Sequence, residues 1–232
     1  MPGVDKINIE LIGIGRALLN KMLAVPFYQR SYAWEDKHVL DLFSDVISTI
    51  EKGESEYFLG TIVTTKNDTP RPEVVDGQQR LATVTILLAA IRDYFTNNND
   101  NARASNVTLR YLYTQNLTTL DTIPKLRLND ADNDFFLKRI LTPPDSPERA
   151  IEPSKESHKK ISRAATLAKE FIERTALAPN PTARLASIVD DFLTDSLKVI
   201  WVSVPDDANA FTIFETLNDR GLALAISDLL KN

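Results

Sequence analysis

Val74-Val75-Asp76-Gly77-Gln78-Gln79-Arg80-Leu81 passes from a β-branched pair into a helical run through a single glycine. From Leu81 onward, Val84, Leu88, Ile91 and Phe95 return every three or four residues, which predicts a helix with one apolar stripe. Before the glycine, Tyr57-Phe58-Leu59-Gly60-Thr61-Ile62-Val63-Thr64-Thr65 has the composition of a strand, residues 66–72 read as its turn, and Val74-Val75 as a short second strand. The strand-to-helix junction is therefore very tight. Further upstream, Val39, Phe43, Val46, Ile47 and Ile50 mark an amphipathic helix from Asp36 to near Gly53. Leu18-Leu19-Asn20 reads as a brief helix, and the strand that follows it ends at Pro26. Between them and the Asp36 helix, Phe27, Tyr28, Tyr32 and Trp34 crowd around Gln29 and Arg30 with no period, and Phe27 and Trp34 are expected in the core.

Downstream, residues 96–105 are rich in Asn and Asp and read as a linker. The expected organisation is an α+β part over 1–100, a small mixed sheet with helices, followed by a mainly helical part over 101–232. Within the latter, 124–128 suggests a short strand, 130–141 a helix and 142–153, with four prolines, a loop. Two amphipathic helices follow, through Ile161, Ala165, Ala168 and Ile172, and through Leu185, Ile188, Val189, Phe192 and Leu197. Lys198 to Val204 alternates as a strand, and 207–217 returns to helix. Ser227 reads as the cap of a helix begun in the last six residues, which suggests the N-terminal piece of a longer polypeptide.

The chain has 232 residues, 43% hydrophobic and 25% charged, enough to bury a substantial core. No run of about 18 apolar residues and no leader-like start occurs, so it reads as a cytoplasmic protein without a membrane span. The absence of cysteine excludes disulfides, thiolate metal sites and thiol catalysis. A net charge of −5 argues against a general coat for nucleic acid. The best local basic face lies in 155–174, where Lys159, Lys160 and Arg163 cluster; it reads either as a DNA-binding face or as a solvated helix surface.

A strand, a glycine and the unpaired N–H groups of a helix start together attract anions. Arg80 on the first turn can fork onto phosphate oxygens, so a polyphosphate is the natural ligand. Asp76 beside it suits Mg²⁺ carried in with the nucleotide, or the orientation of an attacking water, while Gln78 and Gln79 suit a water, base or sugar. Asp76-Gly77 reads equally as an ordinary turn with Asp76 capping its helix. Neither a Walker G-x-x-x-x-G-K-[ST] nor a complete G-x-G-x-x-G is present.

Four blocks in order extend this reading: residues 25–34 (VPFYQRSYAW), 57–60 (YFLG), 75–81 (VDGQQRL), and 214–221 (FETLNDRG) with 228–232 (DLLKN). Together they resemble the GmrSD-type restriction endonuclease N-terminal domain over most of the chain. The resemblance implies a ParB/sulfiredoxin-like core and NTP hydrolysis coupled to restriction of modified foreign DNA. It implies catalytic roles for Asp76, Gln79 and Arg80. A nucleotide site of Gln29, Arg30, Tyr32, Gly77 and Gln78 is implied too, with Asn218 and Arg220 closing over it. Tyr28 is expected either there or on DNA, with Lys159, Lys160 and Arg163. Mg²⁺ is expected with the nucleotide, its base unspecified, and no dedicated metal cluster. In such proteins a C-terminal HNH part of the same polypeptide does the cutting. His38 and His158 alone cannot assemble that centre, so nuclease activity is not expected from these residues. A homodimer is left open. Two other readings stand beside the NTPase: a DNA-recognition module without turnover, and a regulatory interaction domain.

Overall fold

The computed structural model describes residues 7–65 and 71–205. Its central sheet has four strands: β1 (Asn8–Gly13), β3 (Tyr57–Thr65), β4 (Val74–Asp76) and β8 (Leu197–Val204), in the order β1-β8-β3-β4. β8 runs antiparallel to β1 and parallel to β3, and β4 is antiparallel to β3, so the sheet is mixed and the fold α+β. β8 comes from beyond the expected boundary near residue 100, yet it lies between β1 and β3. The alternation of Leu197, Val199 and Trp201 places these side chains at 0% exposure on the sheet face covered by helices. Val202 and Val204 pack with Val63 in a small second cluster.

α1 (Ile14–Asn20) packs against β1 and β8, and α6 (Glu156–Thr175) packs against α2 (Asp36–Lys52) and α3 (Gln78–Asn97) within the same core. β2 (Leu23–Ala24) pairs in parallel with β7 (Leu126–Arg127). One apolar core joins Leu18, Val39, Phe43 and Leu87 to Tyr111, Phe136, Ile161 and Leu197. α2 has the expected amphipathic pattern and stops where Gly53 adopts φ 65°, a left-handed C-cap.

α3 is not the one-stripe helix expected. Ala82, Thr83, Thr85, Ile86 and Leu87 are buried along with Leu81, Val84, Leu88, Ile91 and Phe95, so nearly every face is covered. The two threonines tolerate this because each hydroxyl donates to the carbonyl one turn back, Thr83 to Gln79 at 2.9 Å and Thr85 to Leu81 at 2.8 Å. Arg92, 3% exposed, likewise donates to the carbonyls of Ile140, Leu141 and Thr142.

The expected linker at 96–105 is also corrected. α3 runs to Asn97 and, after a short turn, α4 (Asn101–Val107) begins, capped by the Asp100 carboxylate accepting the Arg103 N–H at 3.2 Å. Asn and Asp here are capping residues rather than a breaker run. α4 widens into a π-type turn (Thr108–Leu112) leading to the hairpin of β5 (Tyr113–Gln115) and β6 (Thr122–Pro124). α5 (Asn133–Phe136) and α7 (Pro181–Ser187) continue in the same way, into Leu137–Leu141 and Ile188–Ser196. The expected loop at 142–153 carries one 3₁₀ turn, Pro147–Ala150. The helix expected at 207–217 and the cap at Ser227 lie outside the described residues. Among the described residues no helix is long and apolar enough to cross a membrane.

Candidate functional site

Gly77 is the N-cap of α3 with φ 89° and ψ 5°, a conformation that side-chain-bearing residues rarely adopt. A Cβ there would meet Ile62 Cγ1 at 2.7 Å and the Thr61 carbonyl oxygen at 3.1 Å, so the junction is pressed directly onto β3. Among the described residues no side chain caps this 20-residue helix. Its first-turn N–H groups belong to Gln78, Gln79 and Arg80, and they have no carbonyl one turn back within the helix.

Those three residues line a cavity of about 700 Å³ with Tyr28, Gln29, Arg30, Trp34, Val75, Asp76 and Gly77. Arg80 is held by donating Nη1 to the Thr61 carbonyl at 3.0 Å. Its guanidinium lies over Gly60, where a Cβ would stand 3.0 Å from Cζ. Gly60 has φ 127° and sits at an irregularity in the β3–β8 register. Among the described residues, no hydrogen bond or ion pair engages the Arg30 guanidinium or the Asp76 carboxylate.

The loop 29–34 forms the opposite wall, and the two glutamines at the start of α3 hold its backbone. Gln78 donates to the Arg30 carbonyl at 3.0 Å. Gln79 accepts from the N–H groups of Ala33 at 2.8 Å and Trp34 at 3.4 Å, and donates to the Ser31 carbonyl at 3.3 Å. Gln29 in turn donates to the Val75 carbonyl at 3.0 Å.

Residues 14–232, nearly the whole chain, match the family described as GmrSD restriction endonuclease, N-terminal domain. The chain belongs to this family. Among curated proteins no match is found. The structure of this GmrSD-type domain brings Gln29, Arg30, Asp76, Gly77, Gln78, Gln79 and Arg80 to one cavity, with Tyr28 at 52% exposure on its wall.

It does not bring the Tyr32 hydroxyl there. That group is buried against Thr83 Oγ1 at 2.8 Å, and burial drives its pKa well up, so it remains a neutral packing phenol. Asn218 and Arg220 lie outside the described residues. Phe27, expected in the core, is 78% exposed: the Pro26 carbonyl accepts the Gln29 N–H at 3.1 Å, and the turn so formed carries the Phe27 ring outward against Tyr28. Trp34 packs against the core and stacks on His38.

On α6, Lys159, Lys160 and Arg163 each have an acidic partner: Glu156 at 3.2 Å, Glu35 at 3.5 Å and Asp36 at 2.8 Å. His38 belongs to the capping box of α2. His158 is buried on Phe135, their ring centroids 4.2 Å apart. A second large cavity, about 720 Å³ between α2, α6 and α7, is edged by the C-terminal ends of α2 and α6, and among the described residues no helix N-terminus lies on its wall. Asn129 and Asp132, which no sequence pattern singled out, reach the back of the 29–34 loop. Their place in the polar run Asn129-Asp130-Ala131-Asp132-Asn133-Asp134, ahead of the apolar pair Phe135-Phe136, is the signal that was available.

Proposed function

We propose that the cavity at the start of α3 takes a nucleoside triphosphate and that the domain hydrolyses it, as part of a restriction protein acting on modified foreign DNA. One observation carries this reading. The uncapped N-terminus of a 20-residue helix opens onto a cavity of about 700 Å³ that Arg30, Arg80 and Asp76 share. The volume lies within the range of small-ligand sites, roughly 300–1,000 Å³. Helix N–H groups and two guanidiniums on different walls suit a chain of phosphates, and Tyr28 and Trp34 offer aromatic faces to a base.

Asp76 is a half-buried carboxylate without a cationic partner among the described residues, which fits a Mg²⁺ arriving on the triphosphate. Such an ion would screen the phosphate charge; the chain's own groups do the rest. Arg30 and Arg80 face charge that grows on the transferred phosphoryl group, and Asp76 orients the attacking water. Gln79 acts through the loop it holds, because both ends of its amide are already bonded to backbone.

The test is phosphate release from each of the four NTPs with Mg²⁺, with and without duplex DNA, for wild type, Asp76→Ala and Arg30→Ala. Release that both substitutions abolish supports the site and names the base. No release together with no NTP-dependent thermal stabilisation refutes the reading and favours DNA recognition without turnover.

A further inference from the structure

We propose that Asn129 and Asp132 are positioning residues for the nucleotide site, clamping the backbone on either side of Arg30 so that its guanidinium is presented to the phosphates. This rests on the nucleotide reading above. Both lie in the turn between β7 and α5, at 4% and 1% exposure. Asn129 Nδ2 donates to the Gln29 carbonyl at 2.8 Å, and Asp132 Oδ2 accepts the Tyr32 N–H at 2.7 Å. The two clamp residues are themselves joined, the Asp132 N–H donating to Asn129 Oδ1 at 3.2 Å.

The other Asp132 oxygen accepts from Ser157 Oγ of α6 at 2.6 Å, and His158 Nε2 lies 3.8 Å from it. A carboxylate this deep is costly unless each oxygen is bonded, and here each is. With Gln78 and Gln79 gripping residues 30, 31 and 33 from the α3 side, the loop is fixed from two directions and the Arg30 side chain is left exposed. The space remaining between the two grips is about 10 Å³, no more than a single water could occupy, so solvent does not readily replace a lost contact. The clamp also makes α6 a support of the site, because Ser157 fixes Asp132.

The experiment reads the loop and the ligand separately. The chain has two tryptophans; Trp201 is fully buried, so acrylamide quenching reports on Trp34, which adjoins the clamped segment. Asp132→Asn keeps the shape and one acceptor but loses the charge. It is expected to raise Trp34 quenching about twofold and to weaken MgNTP binding roughly tenfold, the size of one charge-assisted hydrogen bond. Combined with Arg30→Ala, it is expected to add less than about a twofold further loss, since it acts through Arg30.

Unchanged Trp34 quenching in a folded Asp132→Asn protein overturns the clamp. Full additivity with Arg30→Ala overturns its action through Arg30. If Asp132→Asn does not fold, Ser157→Ala, which leaves the carboxylate bonded to Tyr32, is expected to give smaller shifts in the same direction, and no shift overturns the proposal. In a wild type that binds no triphosphate the nucleotide reading falls, and Trp34 quenching alone decides the clamp.

Discussion

Replacing Gly77 with alanine tests how tightly the strand-to-helix junction is built. At φ 89° an alanine is strained by roughly 1–2 kcal/mol. Its Cβ would also stand 2.7 Å from Cγ1 of Ile62, which is 0% exposed on β3. Relieving that contact means shifting an inner strand or forcing a rotamer, which adds about 1–3 kcal/mol. The total, about 2–5 kcal/mol, corresponds to a fall in Tm of roughly 4–20 °C for a chain of this size. Gly53→Ala is the internal control. Its φ of 65° is also left-handed but nothing lies within 4 Å, so only the conformational part applies, ~1–2 kcal/mol or ~2–8 °C. Thermal unfolding of both variants followed by far-UV circular dichroism isolates the crowding. If Gly77→Ala proves no less stable than Gly53→Ala, the close approach of junction to strand is wrong.

Gly60→Ala is expected to push aside the Arg80 guanidinium, which leaves about 3.0 Å for the new Cβ, and so to weaken triphosphate binding without abolishing folding; unchanged affinity by calorimetric titration would remove Arg80 from the site. Tyr57 is pushed up to about 12, first by burial and then by the Asp45 carboxylate that accepts its hydroxyl at 2.5 Å. Because the folded value exceeds the unfolded one near 10, this contribution is complete below about pH 10 and lost as pH rises toward 12. Tyr57→Phe should therefore flatten the fall of Tm across that window, and an equally steep fall counts against the Asp45 contact. Glu35→Gln with Asp36→Asn removes the acidic partners of Lys160 and Arg163, and duplex affinity at low salt should rise severalfold, with the gain lost at high salt. Fluorescence anisotropy showing no gain would take this face of α6 out of DNA binding.

Much of the fold was legible because α2 obeys a single period and stops plainly at Gly53, and because β3 has a strand's β-branched and aromatic composition. α3 was found but misjudged: its buried threonines look polar in sequence, and only the back-bonds to Gln79 and Leu81 make their burial tolerable. α4 was missed because Asp100 and its neighbours favour loops and helix caps alike, and only the bond to the Arg103 N–H distinguishes the two. β1 was missed because it is short and half of its residues are exposed, with Leu11 and Ile12 adjacent and so breaking the alternation.

At the candidate site, the Asp76 to Arg80 run and residues 28–30 do line one cavity, and Trp34, expected in the core, lines it as well. What the sequence could not convey was direction. The Tyr32 hydroxyl turns inward to Thr83, and Gln79 spends its amide on the loop. Asn129 and Asp132 act across about 100 residues of chain on backbone groups, and such contacts leave no local pattern.

The place of β8 between β1 and β3 also sets a timetable for synthesis. Thr64 on β3 and Val202 beside it on β8 are 138 residues apart in the chain. A ribosome adding about 5–20 residues per second needs roughly 7–28 s to cover that distance. Throughout that interval β1 and one edge of β3 have no partner strand to pair with, and such edges invite association with other chains. The nascent protein must therefore wait with an open sheet until residue 204 leaves the exit tunnel. Slower translation between residues 65 and 204 should therefore lengthen this exposure and lower the yield of folded protein.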